Sequence, residues 1–310
     1  MTSPTPTAVL LMAYGTPRTR EEIEPYYTDI RRGRPPTPEA LADLTARYDA
    51  LGGTSPLAAR TEAQRDALQH ALDQAAPGQY VVALGLKHAE PKVEAAVDAL
   101  AAQSFRRIVG LVLAPHYSAY SVGQYHERAA SAAAPHGIAF TGIDSWATEP
   151  AFVSFVAADL KAKLATMPTD TKVLFTAHSL PQRIIAAGDR YPDELRSTAE
   201  AVAAACGLSQ WNRWAIAWQS AGRTPEPWLG PDILQVIDDL GSAENDADTP
   251  RGLLVSAVGF VSDHLEVLYD LDIEASARAA THGLAFARTA CVNDDPTVMA
   301  ALAQRVIEAG

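Results

Sequence analysis

Short apolar runs recur from one end of the chain to the other, each followed by a segment of helix length. This alternation constrains the fold more than any other feature. A brief run of apolar, β-branched residues fits a strand buried on both faces. Strands alternating with helices build parallel sheets joined by right-handed crossovers. The runs fall at 8–13, 80–84, 108–113, 138–143, 172–176, 213–218, 253–258 and 284–289. The intervening pattern predicts helices over 21–31, 38–51, 61–75, 91–102, 150–164, 193–205 and 232–240, one carrying Tyr125 and His126, and a last one from Pro296. A polar linker, GSAENDADTP, precedes the seventh run.

The halves echo one another. His136-Gly137-Ile138-Ala139-Phe140 leads into the fourth run as His282-Gly283-Leu284-Ala285-Phe286 leads into the eighth. Tyr14-Gly15-Thr16-Pro17 stands after the first run where His178-Ser179-Leu180-Pro181 stands after the fifth. The expected architecture is α/β: two Rossmann-like domains, 1–145 and 146–310, each a four-stranded parallel sheet flanked by helices. A cleft between the two carboxyl edges is expected, with the last helix packing back on the first domain.

A formal net charge of −12 argues against a nucleic-acid binder, which needs a basic footprint, and against docking through a polybasic patch on anionic lipid. No apolar run approaches the roughly 20 residues of a membrane span. The opening MTSPTPT has no basic region followed by an apolar signal core, so a cytoplasmic location is expected. The two cysteines, Cys206 and Cys291, cannot supply a four-cysteine iron–sulfur cluster within one chain.

Chemistry concentrates in 252–274, GLLVSAVGFVSDHLEVLYDLDIE. A buried strand ends at Gly259, and Asp263-His264 stand where a helix begins. Glu266, Asp270 and Glu274 recur every four residues, which on a helix places three carboxylates on one face, beside an apolar stripe of Leu265, Leu268 and Leu271. A solvated acidic face is the ordinary reading of such a run. Its place beyond a strand's carboxyl end, where open α/β sheets bind ligands, favours a divalent-cation site instead. Of eight histidines, His88, His116, His178 and His264 follow strand ends. His178 and Glu266 follow strands of the same half. Imidazole with carboxylate suits Fe(II), Zn(II) or Co(II) better than Mg(II), and two protein ligands leave positions open for transfer. Ser179 lies in no Gly-x-Ser-x-Gly elbow, and no phosphate-binding glycine motif appears.

The segments LLMAYGTP (10–17), IRRGRPP (30–36), RYDALGGTSPL (47–57), GLKHAEP (85–91), LAPHYSAYSVGQY, TAHSLP (176–181), WQSAGRTPEPWLGPD (218–232) and VGFVSDHLEVLYDLDIE (258–274) together resemble the ferrochelatase family across nearly the whole chain. Tyr14 and the IRRGR segment are similar to the Gram-positive-type branch, which metallates coproporphyrin III. The resemblance implies a lyase of haem biosynthesis that inserts Fe(II) into coproporphyrin III with loss of two pyrrole protons. Fe(II) and porphyrin are then substrates, with no tightly bound cofactor and no iron–sulfur cluster. It implies that His178 and Glu266 form the inner metal pair and that Asp270 and Glu274 form an outer metal site feeding it. Tyr14 would lie on the opposite porphyrin face as an axial oxygen ligand to iron. Arg31, Arg47, Tyr48, Ser55 and Tyr125 would line the propionate side, and a porphyrin-binding lip would span 15–60. Lys87 and His88 would lie near the cleft, and Trp228 would wall the pocket.

Four propionates give an arginine-rich lip on an acidic protein an evident ligand, since guanidinium matches carboxylate in a fork. Arg31 is read in that role; Arg32 and Arg34 are read as solvated. Alternatives are a protoporphyrin IX ferrochelatase, a cobalt or nickel tetrapyrrole chelatase, and a non-catalytic haem or metal carrier. A monomer is expected, with transient hand-over of product to a downstream haem-pathway enzyme.

Overall fold

The computed structural model describes residues 6–208, 213–222, 224–242 and 250–310. Most of the linker read at 241–250 lies outside them. The chain divides into two compact units, Met1–Trp146 with Ser262–Leu265 and Asn293–Gly310, and Ala147–Val261 with Glu266–Val292.

In the first unit β1 (Thr7–Ala13), β2 (Tyr80–Leu86), β3 (Arg107–Val112) and β4 (Ala139–Ile143) form a parallel sheet in the order β2-β1-β3-β4. Strand β1 is central because it is apolar on both faces. Ala8, Leu10 and Met12 join a core with α4 (Val93–Ala102) and α5 (Val122–Ala133), while Val9 and Leu11 are equally buried on the opposite face. Full burial of each Val, Leu or Met contributes about 1.5–3 kcal/mol. Helices α1 (Ile23–Ile30), α2 (Pro38–Ala50) and α3 (Leu57–Ala75) intervene between β1 and β2. Thr37 caps α2 by accepting from the Ala40 N–H, and Pro38 occupies the first turn, where its missing donor costs nothing.

The second unit repeats the plan. Strands β5 (Lys172–His178), β6 (Trp214–Gln219), β7 (Gly252–Ser256) and β8 (Ala285–Arg288) form a parallel sheet in the order β6-β5-β7-β8. Helices α6 (Pro150–Leu164) and α8 (Tyr191–Ala205) pack together, α7 (Arg183–Ala186) is a single turn, and α9 (Ile233–Ser242) joins β6 to the linker. The final helix, α12 (Pro296–Ala309), packs on α3 and belongs to the first unit.

The His-Gly echo has a physical basis. Gly137 and Gly283 both adopt left-handed φ values, +64° and +69°, which glycine alone adopts without penalty. His136 Nε2 pairs with Asp98 of α4 at 2.7 Å, and His282 Nε2 with Asp238 of α9 at 3.0 Å. Each histidine ties the turn before β4 or β8 to the helix, α4 or α9, that leads into the neighbouring strand β3 or β7.

Between β7 and β8 the chain is not one regular helix. A turn of α-helix, α10 (Leu265–Val267), passes into a π-helical segment, Leu268–Ala275, and then α11 (Ser276–Thr281). The wider π-turn moves the buried stripe. Val267, Leu271, Ala275 and Ala279 enter the core, whereas Leu265 and Leu268 of the stripe expected from sequence are half-buried.

Candidate active site

The strand order reverses direction between β5 and β7, and ligands of open α/β sheets bind at such a switch point, outside the carboxyl ends. His178 is the last residue of β5, and Glu266 lies in the first turn of the helical segment after β7, which begins at Leu265. Two local features fix their approach. Gly259 N–H donates to the Thr176 carbonyl, and a Cβ on Gly259 would come within 2.3 Å of the Ala177 Cβ, so only glycine lets the β7 loop lie on the end of β5. Gln219, at the end of β6, is the register partner of His178.

His178 Nδ1 donates to the Ser179 carbonyl at 2.5 Å. In the neutral ring this fixes the proton on Nδ1 and leaves the Nε2 lone pair open. Nε2 lies 3.8 Å from Glu266 Oε1, and both side chains are about one-third exposed. The pair therefore presents one nitrogen and one carboxylate to a solvent-reachable position. Tyr191, a residue that sequence reading passed over, supports the pair from beneath: its hydroxyl donates to the His178 carbonyl at 3.2 Å. Burial, then the neighbouring Glu266 and Asp189 carboxylates, push the Tyr191 phenol well above its usual pKa, so it stays a donor. Ser179 donates its hydroxyl to the Leu229 carbonyl at 2.7 Å, which leaves it in the role of a loop tie.

The acidic ladder is graded. Glu266 is half-buried, Asp270 is 7% exposed and Glu274 is exposed. Asp270 accepts from the Ser220 hydroxyl at 2.5 Å. No cluster of three or more His, Cys, Asp or Glu with metal-holding geometry occurs among the described residues.

Trp228 lies over Gly222, where any Cβ would meet the indole within 2.4 Å, and its Nε1 donates to Thr224. Its backbone bridges to Pro181, so the 224–231 loop is clasped to the loop after β5.

In the first unit Tyr14 follows β1 and is 43% exposed. Its ring rests against His88 at 4.6 Å, and His88 Nδ1 pairs with Asp29 at 2.7 Å. Burial lowers the His88 pKa against the opposing pull of Asp29. Lys87 donates to Gln124 at 2.7 Å and lies 5.2 Å over the Tyr125 ring. Burial, then Arg128 and Arg32, lower its pKa to about 8. Arg31 is exposed over the Tyr27 ring, and Arg47 is half-buried beside Asp43. Tyr48, Ser55 and Tyr125 are buried at 2%, 7% and 4% exposure. The Tyr48 hydroxyl meets Thr16, and Ser55 accepts from the Leu57 N–H at the start of α3. Of the four histidines grouped by their strand-end positions, His116 is fully buried, and burial lowers its pKa to about 3. It is a neutral interior residue.

These features define a class: a two-unit α/β protein with duplicated sheets and an imidazole–carboxylate pair at one switch point. Solved structures agree at the level of fold. SirB from Bacillus subtilis with Fe3+ superposes with a TM-score of 0.58 at 12% identity, covering 98% of this chain and 95% of that one. CbiX, described as the terminal enzyme for biosynthesis of siroheme in denitrifying bacteria, gives 0.54 at 15% identity, covering 98% and 99%. The sequence is more specific. The family profile described as Ferrochelatase matches residues 6–309. A coproporphyrin III ferrochelatase of Geobacillus thermodenitrificans is 43% identical over 97% of this chain and 95% of its own length, and one from Bacillus subtilis is 41% identical over 97% and 96%. A ferrochelatase of Herpetosiphon aurantiacus is 43% identical over 94% of each chain. The chain belongs to the ferrochelatase family.

Proposed function

We propose that this protein is a coproporphyrin III ferrochelatase, inserting Fe(II) into coproporphyrin III to give Fe-coproporphyrin III in haem biosynthesis. The observation that carries the reading is the His178–Glu266 pair at the β5/β7 switch point, with the Nε2 lone pair held open. Support comes from relatives named for this reaction at 41–43% identity over nearly their full length.

The reaction asks three things of a protein. Fe(II) must shed water, two pyrrole N–H protons must leave, and the flat macrocycle must be held so that its nitrogens face the metal. His178 Nε2 and Glu266 receive Fe(II) and replace part of its hydration shell. As the metal passes from the pair to the macrocycle, the two pyrrole protons go to the groups it vacates, one to His178 Nε2 and one to the Glu266 carboxylate. Asp270 and Glu274 supply negative charge along the approach. Tyr14 serves as axial oxygen ligand to product iron. Arg31, Arg47 and Lys87 take propionates, backed by Tyr48, Ser55, Tyr125 and His88, while Trp228 supplies an aromatic wall. Remote propionate contacts supply binding energy that offsets distortion of the ring.

No described helix is long and apolar enough to cross a membrane. The reading includes a cytoplasmic monomer without an iron–sulfur cluster that hands its product to a downstream haem-pathway enzyme. The substrate assignment is tested by competition. With coproporphyrin III and protoporphyrin IX at equal concentration under anaerobic Fe(II), the coproporphyrin is consumed first. Preferential loss of protoporphyrin IX would transfer the assignment to the other substrate.

A further inference from the structure

Gln219 is hydrogen-bonded to the backbone beside both members of the proposed metal pair. Its backbone carbonyl accepts from the Ser179 N–H at 2.8 Å, and the Ser179 carbonyl in turn accepts from the His178 Nδ1–H. Its side-chain Nε2 donates to the Glu266 carbonyl at 2.9 Å. The amide is 1% exposed, and its Oε1 has no hydrogen-bond partner among the described residues. An amide buried with its acceptor unmatched is a cost to folding, so stability does not account for it. The Glu266 carbonyl lies just before the point where α-turns give way to π-turns, and a side-chain donor inserted into the backbone ladder is a recognised cause of local helix distortion. The next residue, Ser220, has φ +59°, an unusual conformation outside glycine, and its hydroxyl holds Asp270.

We infer that Gln219 is a positioning residue of the reaction: it sets the separation of His178 Nε2 and Glu266 by fixing the start of the π-helical segment to the end of β5. This rests on the assignment of His178 and Glu266 as the metal pair. Gln219 binds neither substrate. Its loss therefore moves the metal parameters and spares the porphyrin ones.

The test uses the full chain and Fe(II) with coproporphyrin III. In Gln219→Met, which keeps volume and removes the donor, kcat falls about 10- to 100-fold, the usual cost of losing such a support. Half-saturating Fe(II) rises, and the KM for porphyrin stays within about twofold. Gln219→Glu supplies an internal rescue. Protonated, its carboxyl donates to the Glu266 carbonyl; ionised, it sets acceptor against acceptor. Its rate relative to wild type therefore falls as pH rises, and this readout survives if the methionine variant folds poorly. Wild-type kcat and Fe(II) dependence in Gln219→Met, or a Gln219→Glu profile parallel to wild type, would overturn the inference. Glu266→Gln in the same assay separates the failures. If it loses activity while Gln219→Met does not, only the positioning role is wrong; if it retains wild-type Fe(II) dependence, the metal-pair assignment falls and this inference with it.

Discussion

His178 shows how much one side chain's chemistry depends on its immediate neighbours. A histidine after a strand suggests a ligand from sequence, but only the Ser179 carbonyl determines which nitrogen is free. Replacing it by alanine removes the lone pair while leaving Glu266 in place. The expected result is a fall in kcat of about 100- to 10,000-fold with porphyrin binding retained, read by steady-state rates and by porphyrin fluorescence quenching. Lys87 gives a pH prediction. Its folded pKa of about 8 lies below the ordinary lysine value, so its charge is present below pH 8 and is lost as pH rises through that value. Propionates stay ionised over this range, so porphyrin affinity through Lys87 declines above pH 8. Lys87→Arg, which stays charged, should flatten the decline; identical pH profiles for the two proteins would remove Lys87 from the propionate set.

At the scale of elements, the strands were legible because burial on both faces leaves an uninterrupted apolar run, as in 8–13 and 253–258. The segment after β7 was legible only in part. Its acidic residues stood out at four-residue spacing, but the helix they lie on is π-helical, and the core stripe is Val267, Leu271 and Ala275 rather than Leu265, Leu268 and Leu271. Periodicity cannot announce a π-turn, since contacts from elsewhere bear on the register, and Gln219 meets the segment at the Glu266 carbonyl. Tyr191 and Gln219 were invisible for the same reason: a supporting role is defined by partners distant in sequence. Gly259, by contrast, was readable as a break, and its close approach to Ala177 explains why. Gly259→Ala has to displace the β7 loop from the end of β5, a destabilisation of about 1–3 kcal/mol measurable by denaturant unfolding. Asp270→Ala is expected to raise half-saturating Fe(II) severalfold while porphyrin affinity is unchanged; an unaltered metal dependence would remove Asp270 from the metal path.

At the scale of the whole molecule, two copies of one sheet plan have diverged in what they carry. The duplication shows in matching strand orders and in the paired His136–Asp98 and His282–Asp238 ties, which sequence displayed only as a five-residue echo. Beyond β5 and β7 stand an imidazole and a carboxylate; beyond β1 and β3 stand the exposed Tyr14 and the buried, neutral His116. His178 and Glu266 therefore belong to the second unit, and Tyr14 with the cationic residues Arg31, Arg47 and Lys87 belongs to the first. The central claim is tested most directly by anaerobic Fe(II) insertion into coproporphyrin III at substoichiometric protein, followed by porphyrin absorbance, with His178→Ala alongside. The account predicts many turnovers by the wild-type chain and near-complete loss in the variant. Stoichiometric porphyrin binding without turnover, or equal rates in the two proteins, would contradict it.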